Sequence, residues 1–333
     1  MKAVNYERPG GPDLLQIEEV PKPTVNSNEI MIQVAATGLN IYDAWLRQGI
    51  LLYQFDHDSY LGCECSGKVL AVGSHVRKFK EGDEVCAVLE LGGGYAEFVV
   101  VPAVDALRIP SGVSLVEAAA LPEALRLTDF ALSAVKNVTS GKTILIHGTA
   151  GGIDFIAIQY VKHIGCKVFA AAGTEEKLRI CKLLGAEVCI NYEKEDFCKR
   201  VKAETGETGV DIILDVSGKD HFQKNMDCLA KGGSIVVSGY KISSWVDVDL
   251  SSLMKKDTSI KGVDLRTIDI LNESDQLWSD VEAKFWPLIE DGHIKPIIGK
   301  IFSFTEAAKA HRALEEGCIP GKLLLVPKED DVV

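Results

Sequence analysis

Apolar and polar residues alternate in short runs up to Leu121-Pro122, as in Glu29 to Ala35, Lys68 to Val72 and Tyr95 to Val101, with Gly and Pro between the runs. A period of two with frequent breakers predicts a β-rich region. Beyond Pro122 the rhythm changes. Continuous apolar runs alternate with stretches of helical period: Thr143 to His147 and a helix to Ile164, Lys167 to Ala171 and a helix to Leu184, Val188 to Asn191 and a helix near Lys194 to Thr205. Three more strands fall at Val210 to Val216, Ser234 to Ser238 and Ser259 to Leu265. Six apolar strands with helical crossovers predict a doubly wound parallel sheet covered on both faces. After Trp286 come an extended piece (Lys300 to Phe304), a helix with Thr305 as its N-cap that stops before Gly317, and a last strand, Lys322 to Val326, all compatible with either domain.

A length of 333 residues suits two domains, and 47% hydrophobic with 25% charged residues is the balance of a globular α/β protein. No apolar run approaches the ~20 residues of a membrane span. The start, Met1-Lys2-Ala3-Val4-Asn5-Tyr6, lacks the basic and then apolar order of a secretory signal, so a cytoplasmic location is expected. A formal charge of -12, with no cluster of Lys and Arg, argues against a nucleic-acid partner. Nine cysteines, an odd number scattered through apolar segments, are expected to be free thiols in a reducing compartment.

The strongest chemical signal lies where the first strand of the alternation ends. His147 runs into Gly148-Thr149-Ala150-Gly151-Gly152-Ile153-Asp154 and then an amphipathic helix. A strand, a Gly-rich turn and a helix N-terminus together make a pyrophosphate cradle of free N–H groups and positive dipole. Ala150, Gly151, Gly152 and Ile153 are the expected contacts. The next strand ends Gly173-Thr174-Glu175-Glu176-Lys177. An NAD-type site shows an acid at that strand end for the ribose hydroxyls. Here the strand end offers Gly173 and Thr174, and Lys177 stands where a cation meets a 2′-phosphate, which favours NADPH.

These segments, with Met1 to Val4, Pro9 to Pro12, Gly38 to Asp43, Leu61 to Gly67, Gly92 to Glu97, Ala118 to Glu123 and Gly321 to Leu324, resemble the zinc-free quinone oxidoreductases of the medium-chain dehydrogenase/reductase superfamily. The resemblance covers nearly the whole chain. It implies a GroES-like catalytic domain over residues 1–121, with 285–333 returning to it, and a Rossmann domain over 122–284. It also implies a homodimer joined through the Rossmann sheets, and NADPH-dependent reduction of a quinone or an α,β-unsaturated carbonyl. Asn40 is then expected beside the nicotinamide, Lys177 and Tyr192 at the 2′-phosphate, and Ser217 and Tyr240 along the cofactor groove. Zinc-dependent relatives place Cys where this chain has Asn40 and His where it has Cys63, so no metal site is expected.

Four departures from that family gather at the expected site. The turn ends in Asp154 where the family has Gly. Its carboxylate suits the helix dipole yet opposes the pyrophosphate, by ~3 kcal/mol at ~5 Å and an effective dielectric of ~20, a penalty that vanishes if it points to solvent. Leu51 to Asp58 replaces a Pro-rich loop and brings Tyr53, a candidate hydrogen-bond donor to an enolate or hydroquinone anion, with His57 and Asp58 beside it. Leu127, next to Arg126, replaces a Thr that contacts the nicotinamide in relatives. Tyr240 to Trp245 replaces a Gly-rich loop. Such clustering leaves open an alternative: a repurposed scaffold with weakened cofactor binding, catalysing non-redox isomerisation or cyclisation of a natural product with Asp154, Arg126, His57 or Tyr53 as acid–base groups.

Overall fold

The computed structural model describes residues 1–50, 61–135, 138–148, 152–216, 218–238, 245–263 and 274–328. The chain divides into two units, Met1–Ala124 with Asn272–Val333, and Leu125–Leu271. The return to the first unit therefore comes at Asn272, ahead of residue 285.

The first unit holds strands β1 (Lys2–Asn5), β2 (Gln16–Glu19), β3 (Glu29–Gly38), β4 (Glu64–Val72), β5 (Glu84–Val88), β6 (Phe98–Pro102) and β7 (Ala106–Arg108), and helix α1 (Ile41–Gln48); helix α2 (Pro122–Ser133) carries the chain on into the second unit. β1 and β2 pair as a separate two-stranded sheet, whereas β3 to β7 and the late strands Ile298–Ser303 and Lys322–Val326 form one seven-stranded sheet, the second late strand pairing antiparallel with β3 at Leu324 and Leu325. The C-terminal elements thus belong to this unit. Alternation along β3 and β4 sends Ile30, Ile32, Val34, Cys65 and Val69 inward, onto Val85, Ala87, Val99 and Val101. Trp286, on the helix Ser274–Glu290, donates from Nε1 to the Arg108 carbonyl at 3.0 Å and pins that helix to the unit. The expected N-cap Thr305 is displaced: a 3₁₀ turn, Phe304–Glu306, opens after Ser303 and the α-helix runs Ala307–Glu316, closed by a left-handed Gly317.

In the second unit β8 (Thr143–His147), β9 (Lys167–Ala172), β10 (Val188–Asn191), β11 (Val210–Asp215), β12 (Leu229–Val237) and β13 (Ser259–Gly262) form one parallel sheet in the order β10-β9-β8-β11-β12-β13. That order reverses between β8 and β11, the switch point at which doubly wound sheets bind ligands beyond their strand ends. Central strands are apolar on both faces because α3 (Ile153–Ile164), α4 (Glu175–Leu183), α5 (Phe197–Glu204) and α6 (Phe222–Cys228) pack against the sheet. Helix α5 starts at Phe197, not near Lys194, because the Asp196 carboxylate caps it by accepting from Lys199 N at 3.1 Å. None of the nine cysteines, all among the described residues, is in a disulfide.

Candidate functional site

In the first unit the sheet gathers a buried polar cluster at the end of β3. Asn40 follows β3 and caps α1, its backbone N donating to Asp43 Oδ2 at 2.9 Å. Its side chain is 4% exposed and its amide hydrogens are both used, Nδ2 donating to Glu64 Oε1 at 3.0 Å and to Cys63 Sγ at 3.1 Å. The ammonium of Lys322, on the last strand, meets Glu64 Oε1 at 2.6 Å, Glu123 Oε2 at 2.7 Å and Asn40 Oδ1. Its three donors are all placed.

Two carboxylates against one ammonium, all buried, shape the titration of the cluster. Burial pushes Glu123 up, Lys322 opposes that, and Glu64 adds to it. The opposed carboxylates raise Lys322, overcoming the desolvation that acts to lower it. Asp43, 1% exposed, is raised to about 7 by burial, against hydrogen bonds from Asn40 N and Gly62 N. Burial, then Asp43 and Glu123, hold the Cys63 thiol well above its ordinary range, so it is a neutral SH. Among the described residues no group of three or more His, Cys, Asp or Glu is placed to hold a metal ion.

In the second unit Gly148 leaves β8 with φ 97° and Gly152 opens α3 with φ 76°. A Cβ on Gly148 would meet Val216 Cγ2 at 2.1 Å, so only Gly lets the turn pass the end of β11. Asp154 is 3% exposed, and its Oδ2 lies 3.9 Å from where that Cβ would sit. The carboxylate is therefore buried beside Gly148 and does not point to solvent. Ile153 is half-buried, and its carbonyl accepts from Thr128 Oγ1 at 3.5 Å. Leu127 and Arg126 beside that Thr are both buried.

At the end of β9, Gly173 faces the Tyr192 ring: a Cβ there would lie 3.0 Å from its hydroxyl. Thr174 caps α4, accepting from Lys177 N at 3.4 Å. Glu175, the nearest acid, is held by Asn191 Nδ2 at 2.8 Å and Lys194 Nζ at 2.9 Å. Lys177 is 9% exposed, and its ammonium makes no ion pair or hydrogen bond among the described residues. Tyr192 also packs on His221, 4.8 Å between ring centres. His221 stacks on His147, whose Nε2 meets Asn225 Oδ1 at 2.7 Å, and Asn225 Nδ2 donates to Asp215 Oδ2 at 2.9 Å. An Asn oxygen only accepts, so His147 carries its proton on Nε2. Burial lowers His147 to about 4, leaving it neutral.

The structure thus brings Gly152, Ile153, Gly173, Thr174, Lys177 and Tyr192 to the sheet ends of the second unit and puts Asn40 in the buried cluster of the first. Tyr53, His57, Asp58, Ala150, Gly151, Ser217 and Tyr240 lie outside the described residues. Glu64, Glu123 and Lys322 were missed as site residues. Their signal was a charged residue inside apolar segments, Gly62-Cys63-Glu64-Cys65 and Gly321-Lys322-Leu323.

A parallel sheet in this order, with a Gly turn at its switch point, defines a dinucleotide-binding fold. Residues 152–282 match the "Zinc-binding dehydrogenase" family model and residues 26–111 the "Alcohol dehydrogenase GroES-like domain" model. The quinone oxidoreductase of Sus scrofa is 30% identical over 328 residues, 98% of each chain. The crystal structure of the Escherichia coli quinone oxidoreductase complexed with NADPH superposes with a TM-score of 0.88 at 29% identity, covering 98% of this chain and 100% of that one. The CurF ER cyclopropanase of curacin A biosynthesis gives 0.87 at 25% identity, with 98% of both chains covered. The chain belongs to the quinone oxidoreductase family of the medium-chain dehydrogenase/reductases.

Proposed function

We propose that the protein is a zinc-independent, NADPH-dependent reductase of quinones or α,β-unsaturated carbonyls. The observation that carries the cofactor choice is Lys177, whose ammonium has no acidic partner among the described residues and lies after a strand end that has no ribose-binding carboxylate. A cation that no protein carboxylate occupies is open to an anion in the ligand, here the 2′-phosphate. The E. coli relative's complex with NADPH supports the same reading. The α3 N-terminus and the Gly148 turn receive the pyrophosphate, and Tyr192 lies against Gly173 at the 2′-phosphate end.

When bound, the cofactor supplies a hydride. The chain's own residues position and polarise. Asn40, locked by Lys322, Glu64 and Cys63, keeps one lone pair on Oδ1 for the nicotinamide carboxamide. Tyr53 is the candidate hydrogen-bond donor to the developing oxyanion. Zinc does not fit the donor set: where zinc-dependent relatives place Cys and His, this chain has an amide and a neutral thiol, and an ammonium already fills the space among Asn40, Glu64 and Glu123. The exposed side chains Trp245, Leu250, Met254 and Ile260 lie on and near the edge strand β13, which supports a homodimer formed by joining two such edges. Light scattering at micromolar concentration tests the dimer.

One observation favours a second reading. Asp154 puts a buried carboxylate beside Gly148 in the first turn of α3, and a repurposed scaffold with weak cofactor binding would carry such a group. Thermal shift with NADPH, together with NADPH consumption in the presence of quinones and enones, separates the two. The reductase reading expects saturable stabilisation and turnover of at least one acceptor. Turnover of none by a folded protein that NADPH does not stabilise would overturn it.

A further inference from the structure

Two cysteines of the second unit differ from the others. Cys198 is the second residue of α5 and Cys228 the last of α6, and both lie in the core built by Leu145, Phe169, Ile213 and Met226. Their thiols are hydrogen-bonded to each other. Elsewhere burial acts first on the thiols of Cys63, Cys65, Cys86, Cys166 and Cys189 and pushes them above the ordinary range, so they are neutral SH groups. Cys198 moves the other way, down to about 7. The S–H that Cys228 donates to its sulfur is the main cause, and Lys202 adds to it, against burial, Asp227 and Asp196. A place in the first turn of a helix also suits a thiolate. When Cys198 is protonated, the Cys228 hydrogen has a second acceptor in the Asn225 carbonyl at 3.7 Å. The Lys256 ammonium, held by the carbonyls of Met226, Asp227 and Leu229 at 2.7 to 2.9 Å, brings positive charge to the same helix end. Cys198 is 8% exposed and Cys228 0%, so an oxidant from solvent meets Cys198 first.

We propose that Cys198 and Cys228 form a redox-reactive dithiol that hydrogen peroxide converts to a disulfide. The Cys198 thiolate attacks one peroxide oxygen: an S–O bond forms, the O–O bond breaks, and the hydroxide that leaves becomes water with the proton Cys198 had released. Cys198 is then an uncharged sulfenic acid. The thiolate charge and hydrogen bond that held the proton on Cys228 are gone, and the Cys228 sulfur attacks the Cys198 sulfur. An S–S bond forms, the S–O bond breaks, and the departing hydroxide becomes water with the Cys228 proton. Across both steps the two thiols are oxidised to a disulfide and one peroxide is reduced to two waters. A dithiol reductant reverses the change by exchange. The reaction lies within the second unit and needs neither cofactor nor acceptor, so it is independent of the reductase reading.

The test treats the folded full-length protein with hydrogen peroxide, blocks the remaining thiols and maps the peptides by mass spectrometry. Wild type should yield the Cys198 and Cys228 peptides joined, and a dithiol reductant should separate them. Cys228→Ala should stop at a Cys198 sulfenic acid that dimedone traps, whereas Cys198→Ala should leave Cys228 reduced. Before oxidation, alkylation of Cys198 by iodoacetamide should be at least about tenfold faster than that of Cys86 and should follow an ionisation near pH 7. That midpoint should move up in Cys228→Ala, which removes the donated S–H. The wild-type maps and rates stand whether or not a variant folds. Peroxide that leaves the two peptides unjoined in wild type, Cys198 that alkylates no faster than Cys86, or a midpoint unchanged in folded Cys228→Ala overturns the proposal.

Discussion

The two units treat buried charge in opposite ways. In the first, Lys322, Glu64, Glu123 and Asn40 satisfy one another, so that the ammonium has three partners within the protein. In the second, the Lys177 ammonium has none among the described residues, while the Asp154 carboxylate is buried beside Gly148. A charge paired within the chain positions the atoms around it. A charge without a protein partner is open to pair with an opposite charge on a ligand. The first cluster is complete as folded, whereas the Lys177 ammonium of the second is open to an anion.

The largest effect that would break this contrast is removal of the shared cation. Lys322→Met leaves two buried carboxylates facing each other and should cost about 3 to 5 kcal/mol of stability by urea denaturation, well beyond a surface Lys such as Lys309. A loss like that of the surface site would mean that the cluster is not held by its ion pairs.

Acidity comes next. His147, about 4 folded and 6.5 unfolded, binds its proton more weakly in the native state, so its contribution is intact above pH 6.5 and is lost as pH falls toward 4. That loss is on the order of 3 kcal/mol, and His311, lowered to about 3 by burial and by Arg47, adds a similar loss over a slightly wider window. Asp43 acts the other way. Its folded pKa of about 7 lies above the unfolded 3.8, so its contribution is fully present below about 4 and is lost as pH rises to 7. Wild type should therefore lose roughly one histidine's worth of stability between pH 7 and 4, and Asp43→Asn should lose roughly two. Denaturant midpoints across that pH range check both, and an identical slope in the variant would contradict the assignment of Asp43.

A smaller effect sharpens the second unit. Asp154→Gly should tighten NADPH binding by up to about a hundredfold if the carboxylate opposes the pyrophosphate at full strength, and by less as nearby dipoles offset it. Calorimetric titration of both proteins measures the difference, and unchanged affinity would remove the repulsion.

Much of this contrast was legible in the residue pattern. The six parallel strands, their helices and the Gly turn follow from periodicity and breakers, which are local properties. Lys177 was legible because strand-end chemistry sits at a fixed place after the second strand. The cluster around Lys322 was not, because Glu64, Glu123 and Lys322 come from three distant parts of the chain and meet only when the last strand pairs with β3. The burial of Asp154 was equally hidden, since sequence gives a side chain's position on a helix but not whether a neighbouring strand end makes room for it. The 3₁₀ turn that displaced Thr305 as a cap arises from Ser303, a cap-competent residue two places earlier.

The central claim is that Lys177 awaits the cofactor's 2′-phosphate. Calorimetric titration of wild type and Lys177→Ala with NADPH and with NADH tests it. The account predicts that wild type prefers NADPH, that the substitution weakens NADPH by roughly tenfold to a hundredfold, as for a charge-assisted contact of ~1.5–3 kcal/mol, and that NADH affinity stays the same. Equal loss for both dinucleotides, or no loss for either, would contradict it.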